Sequence, residues 1–211
     1  MTIEHDRPLV DGPADAAVVL VLAHGAGQGP ESDFMAQMAA RLASGGVRVV
    51  RPWFPYMARA AAEGRRRPPD RESVLLDALR DSIEAVRSPA ARLAVGGKSM
   101  GGRMAAQLAD EVRAAGLVCL GYPFHPPGKP ERNRVGPLAA LRVPALICQG
   151  ERDPFGNRAD VEGYALSPGV RVAWIADGEH SFKPRRASGR TWAQNLDDAA
   201  ALVLDFLRTL G

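Results

Sequence analysis

Cysteine is nearly missing from this chain. The two present, Cys119 and Cys148, each lie inside an apolar, strand-like run, where cysteine serves as a small buried hydrophobe. A disulfide framework is therefore excluded, and free thiols in a reducing compartment, the cytoplasm, are expected. Long apolar runs are also lacking: the longest, 16–23, has the length of a strand, well short of the roughly 18 residues of a membrane helix. No membrane association is expected. The first residues, Met-Thr-Ile-Glu-His-Asp-Arg, carry acids where an export leader needs bases, so export is not expected either. Charge of one sign does not accumulate. The net +3 comes almost wholly from arginines scattered among acids, which argues against a nucleic-acid partner. The densest basic patch, Arg65-Arg66-Arg67, reads as a solvated loop. No His/Cys/carboxylate cluster shows metal-ligand spacing, so neither a metal nor another cofactor is expected.

What is present is a regular alternation. Short apolar runs at 17–23, 47–51, 93–96, 117–121, 145–149 and 171–176 end in glycine, proline or polar turns. Most lack polar alternation, which places them in a parallel sheet covered on both faces. Between them, Ser32 is expected to cap a helix with the apolar face Met35, Met38, Ala39 and Leu42, and Ser73 another with Leu75, Leu79, Ile83 and Val86. The C-terminal segment repeats the helical period with Leu196, Ala199, Ala200, Val203, Leu204 and Leu207. With 211 residues, 46% of them hydrophobic, the chain can bury one core and is read as one α/β domain, 1–211. Long loops are expected over 56–72 and 122–136, both after strands, on the rim where such sheets hold ligands.

One of these strand ends carries a nucleophile signature. Gly97-Lys98-Ser99-Met100-Gly101 stands between the 93–96 run and a helical run with Met104 and Leu108. In a chain with 22 glycines the pentapeptide alone says little, but a strand, tight turn and helix is the context a G-x-S-x-G elbow needs. A serine held in a strained turn brings the flanking backbone together, and only glycine fits there easily. The Met100 N–H then opens a helix, where a developing oxyanion is favoured. A phosphate-binding P-loop ending at Lys98-Ser99 is excluded, because Arg92 stands where its first glycine is needed.

A base and an acid can be sought among few residues. Of four histidines, His180 follows the last strand candidate and is the last in the chain, as the order serine, acid, histidine requires. His125 competes, since it also follows a strand, but it precedes every plausible acid after Ser99 and is read as lining the pocket or shaping its loop. His5 lies in a polar amino-terminal segment. Asp153, just past the glycine that ends the 145–149 run, is the acid expected to hold the imidazole tautomer, with Glu151 and Asp177 as alternatives. The first strong strand runs into His24-Gly25-Ala26-Gly27. Ala26 is expected to give a second oxyanion N–H, with Gly27 as its alternative, and His24 to fix the loop at the pocket's edge.

These residues together resemble the α/β-hydrolase superfamily, in particular its dienelactone-hydrolase-like branch. The motifs HGAG, GGKSMGGR, GYPFHPPGKPE, GERDPFG and DGEHSFKP look like the small group that includes testis-expressed protein 30 and the hydrolase-like domain of the third subunit of the non-specific lethal complex. The resemblance spans Val18 to the C-terminus. It implies an eight-stranded-type sheet trimmed at its amino end, the Ser99, Asp153 and His180 triad, and cleavage of a small-molecule carboxylic ester or thioester through an acyl-enzyme. Dienelactone hydrolases proper use cysteine where this chain has Ser99, so their substrate does not carry over. The stretch from Tyr122 to Val143 is too short for a cap domain, and an open pocket is expected. Acyl transfer would use the same residues, and fold alone admits a non-catalytic binding module.

Overall fold

The structure, a computed structural model, describes residues 7–210; His5 lies outside the described residues. Its centre is a seven-stranded sheet in the order β1-β3-β2-β4-β5-β6-β7, built from β1 (Leu9–Asp11), β2 (Val18–Ala23), β3 (Arg48–Arg51), β4 (Arg92–Lys98), β5 (Gly116–Leu120), β6 (Ala145–Gly150) and β7 (Val170–Ile175). All pairings are parallel except β1 with β3. The six expected strands are β2 to β7, with ends shifted by one or two residues. The edge strand β1 was not anticipated: it is three residues long, and its partner lies some forty positions away, with Val10 opposite Val50.

Both faces of the sheet are covered, which explains the unbroken apolar runs. In β2, Val19, Val21 and Ala23 face one core with α3 (Glu72–Glu84) and α4 (Met100–Leu108), while Val18, Leu20 and Leu22 face the other with α1 (Asp33–Ser44) and α7 (Trp192–Thr209). Every β2 residue is buried. A leucine such as Leu20, with no exposed surface, contributes about 1.5–3 kcal/mol by leaving water. The face expected for the C-terminal helix packs as read, except that Leu204 is only partly buried, and Phe206 joins it.

Three local expectations are corrected. The 56–72 segment is not all loop, because α2 (Pro55–Glu63) occupies its first half. Proline in the first turn, a run of alanines and a left-handed Gly64 cap favour this helix, yet only Tyr56 is buried on it. Ser73 does not cap α3: the cap position is Arg71, and Ser73 lies inside the helix. Ser32 does stand at the cap of α1, but its side chain makes no capping hydrogen bond. The 122–136 loop holds only a turn of 3-10 helix, and a short helix, α5 (Gly136–Ala139), follows it; no domain is inserted there. No helix of the described residues is long and apolar enough to cross a membrane.

Candidate active site

Ser99 joins β4 to α4 with φ 50° and ψ −113°, a backbone region that side-chain-bearing residues avoid. The strain is held by close packing on both sides. A Cβ on Gly97 would lie 2.5 Å from the Gly101 carbonyl carbon, and one on Gly101 would lie 2.3 Å from the Ala23 oxygen. Neither position accepts a larger residue without moving backbone, which is the steric demand read from the pentapeptide.

The structure brings the three candidate side chains into one chain of contacts. His180 Nε2 lies 2.8 Å from Ser99 Oγ, and His180 Nδ1 lies 2.8 Å from Asp153 Oδ2. Asp153 is completely buried, whereas the His180 side chain keeps 19% exposure. The carboxylate is satisfied elsewhere too: Oδ1 accepts from the Phe155 N–H at 2.9 Å, and Oδ2 from Gln149 Nε2 at 2.9 Å. Phe155 in turn packs its ring against His180, with centroids 4.4 Å apart. The alternative acids are engaged differently. Asp177 is clamped by Arg185 and Arg152, which hold its carboxyl below the ordinary range, Arg185 contributing most. Glu151 accepts from the Asp177 N–H at 2.9 Å. Neither reaches His180.

The loop carrying His180 is fixed from three directions, by residues that sequence reasoning did not single out. Glu179 accepts from the N–H groups of Ser181 and Lys183 at 2.7 and 3.1 Å. From α7, Asn195 donates to the carbonyls of Ala176 and Phe182. From the elbow itself, buried Lys98 donates from Nζ to the His180 carbonyl at 2.7 Å. Burial holds the Lys98 ammonium down to about 8, against the opposing pull of Asp153 and Glu179.

These side chains open on a cleft of about 390 Å³, lined by Ser99, His180, Met100 and Ala26 and by the apolar Phe34 and Phe155, among others. The three other residues expected at the pocket are placed away from its lining. His24 is fully buried: Nδ1 faces the Gly25 carbonyl at 2.8 Å, and Nε2 accepts from the Phe54 N–H at 3.1 Å. It fixes the loop, as expected, but from beneath it. Gly27 borders a different cavity, beside Arg65, Arg66 and Arg67. His125 is buried, with Nδ1 2.8 Å from the Pro126 carbonyl and Nε2 3.2 Å from Asp160. A strand end tells where a loop starts, not which way each side chain turns, and that accounts for the two histidines; Gly27 is placed by the course of its loop. The basic patch is consistent with a solvated loop, with Arg65 and Arg67 both paired to Glu63.

A doubly covered, mostly parallel sheet with a strained serine at the end of its central strand defines the class. The family model described as an α/β hydrolase domain matches residues 16–208, and the chain belongs to that family. Among solved structures, the fold is similar to a dienelactone hydrolase from Anabaena variabilis at a TM-score of 0.72 and 20% identity, covering 96% of this chain and 91% of that one. It is similar to a lidless α/β serine hydrolase from Xanthomonas campestris at 0.65 and 19%, covering 92% and 87%. It is also similar to Est1E from Butyrivibrio proteoclasticus, solved with ferulic acid bound, at 0.66 and 15%, covering 97% and 94%.

Proposed function

We propose that the protein is a serine hydrolase that cleaves a carboxylic ester or thioester through an acyl-enzyme. The observation that carries this reading is the contact chain from Ser99 Oγ through both ring nitrogens of His180 to a buried Asp153. A nucleophile, a base and an orienting acid within hydrogen-bond reach are what such chemistry requires. His180 Nε2 takes the Ser99 proton as Oγ attacks the substrate carbonyl. The oxyanion is held by the N–H groups of Met100 and Ala26, both at the cleft. Ala26 is preferred to Gly27 because Ala26 lines the cleft of Ser99, whereas Gly27 borders a different cavity. His180 then gives its proton to the leaving alcohol or thiol. A water molecule, deprotonated by the same nitrogen, attacks the acyl carbon, and the acid leaves with Ser99 restored. Asp153 keeps Nδ1 protonated throughout. The buried thiols of Cys119 and Cys148 suit the reducing cytoplasm that this reading assigns.

The test is a fluorophosphonate label together with a panel of p-nitrophenyl esters and acyl thioesters of increasing chain length. Wild type is expected to be labelled and to turn over part of the panel, while Ser99→Ala loses the label and about three to six orders of magnitude in kcat. A wild type that circular dichroism shows to be folded, yet neither labels nor turns over any ester, sinks the reading.

A further inference from the structure

Two arginines share the wall of the cleft that holds Ser99. Arg103 lies on α4, one turn beyond the serine, and Arg134 lies in the loop after β5. Arg103 has an acid partner, with Nη1 2.8 Å from Glu72 Oε2. Arg134 has none: among the described residues its guanidinium, half-buried, makes neither a hydrogen bond nor an ion pair. Arg41 and Arg51 have acids beside them, Asp197 and Asp11; Arg134 is set apart by facing the cleft of Ser99. Burial and the neighbouring Arg103 both work against the Arg134 cation, burial more strongly, with Tyr122 and Glu72 opposing them in smaller measure, so a guanidinium held there gains from an anion that pairs with it directly.

The backbone beneath it is unusually well tied. The Arg134 N–H donates to the Phe124 carbonyl at 2.7 Å, and its carbonyl accepts from Tyr122 Oη at 2.9 Å. Tyr122 and Phe124 are themselves fully buried. The guanidinium is thus presented into the cleft from a fixed point rather than carried on a wandering loop. Lys98 lines the same cleft, where Asp153 and Glu179 offset its charge, while Glu72 offsets that of Arg103 on the far wall.

We propose that the substrate of this cleft carries an anionic oxyacid group, such as a carboxylate, and that Arg134, assisted by Arg103, binds it. The proposal rests on the hydrolase reading above and names its substrate class. A planar guanidinium pairs with a carboxylate through two parallel N–H bonds, giving orientation as well as affinity. The apolar side chains of Phe34, Met35 and Phe155 line the same cleft and suit the chain between the charge and the reacting carbonyl. The charge sits either at the far end of the acyl chain or on the alcohol or thiol portion, and the experiment separates the two.

Two pairs of esters are compared by kcat/KM. Mono-p-nitrophenyl suberate and its methyl ester differ only by a charge on the acyl end. The octanoates of 4-hydroxybenzoate and of its methyl ester differ by a charge on the leaving side. For wild type, the charged-to-neutral ratio in one pair is expected to exceed that of Arg134→Gln by roughly ten- to a hundredfold. Arg134→Lys should retain part of the preference, and added salt should reduce it. Equal ratios in wild type and Arg134→Gln for both pairs overturn the anionic subsite while leaving the hydrolase reading intact. Turnover that survives Ser99→Ala unchanged overturns the hydrolase reading instead. In that event the anion of monomethyl suberate is titrated calorimetrically into Ser99→Ala and into Ser99→Ala with Arg134→Gln. Binding weakened at least tenfold by the second change supports the subsite; equal binding, or none to either protein, removes it.

Discussion

Two histidine–carboxylate pairs stand on the same rim of this sheet, and only one of them faces a serine. In the pair His180 and Asp153, the carboxylate takes Nδ1, and Nε2 is left pointing at Ser99. In the pair His125 and Asp160, the carboxylate takes Nε2, and Nδ1 is closed off by the Pro126 carbonyl. Residue types are alike, but both nitrogens of the second imidazole face protein acceptors, so neither is turned to a nucleophile in a cleft. What distinguishes a candidate base is therefore the uncommitted nitrogen and the cleft in front of it, not the carboxylate behind.

The comparison is broken most directly at the imidazoles. On the hydrolase reading, His180→Gln should lower kcat by about four to six orders of magnitude, because the serine loses its proton acceptor. His125→Gln should leave kcat within about tenfold, since that ring touches no reacting atom. Steady-state kinetics on the best ester of the panel measure both, and comparable losses in the two variants would erase the distinction.

The carboxylates sharpen it. Asp153→Asn preserves shape but favours the wrong tautomer of His180, and a loss of about two to four orders of magnitude in kcat is expected. Asp160 has a different second task. With Asn157 it forms the capping box of α6 (Arg158–Glu162), so Asp160→Asn should appear as about 0.5–2 kcal/mol of lost stability in urea unfolding, with kcat nearly retained. An Asp153→Asn enzyme that turns over like wild type would show that the buried acid does not set the tautomer.

How much of this could be read beforehand depends on the range of the forces involved. Strands β2 to β7 were legible because burial on both faces writes itself as a continuous apolar run. The elbow was legible because its steric demand is met within five residues. Local sequence says less about α2, a short helix that buries only Tyr56, and about β1, which exists only through its pairing with β3. At the site, the contact of Ser99, His180 and Asp153 was anticipated from order along the chain. Their supports were not. Lys98 reaches the His180 carbonyl across 82 positions, and Gln149 holds Asp153 by also donating to the Tyr122 and Gly156 carbonyls. Nothing near Lys98 announces its partner, and the Tyr122 carbonyl lies 27 positions from Gln149. Arg134 was unremarkable for the same reason, since an arginine in a proline-rich loop looks solvated until the fold places it beside Arg103.

A third histidine extends the comparison from chemistry to stability. Both nitrogens of His24 are committed to backbone, and burial, the leading cause, lowers its pKa from 6.5 to about 4. The folded protein therefore keeps this ring neutral in mildly acidic solution, while the unfolded chain takes up a proton. Since the unfolded state binds more protons between about pH 6.5 and 4, folding stability must rise with pH across that window and be lost as pH falls through it. The full difference corresponds to about 3 kcal/mol. Urea unfolding at a series of pH values between 7 and 4 should show this slope in wild type, and His24→Asn, which cannot titrate there, should flatten it by that amount even if the variant is less stable throughout. A variant with the wild-type slope would mean that the ring is protonated in the folded state, which would require the Phe54 N–H to have released it.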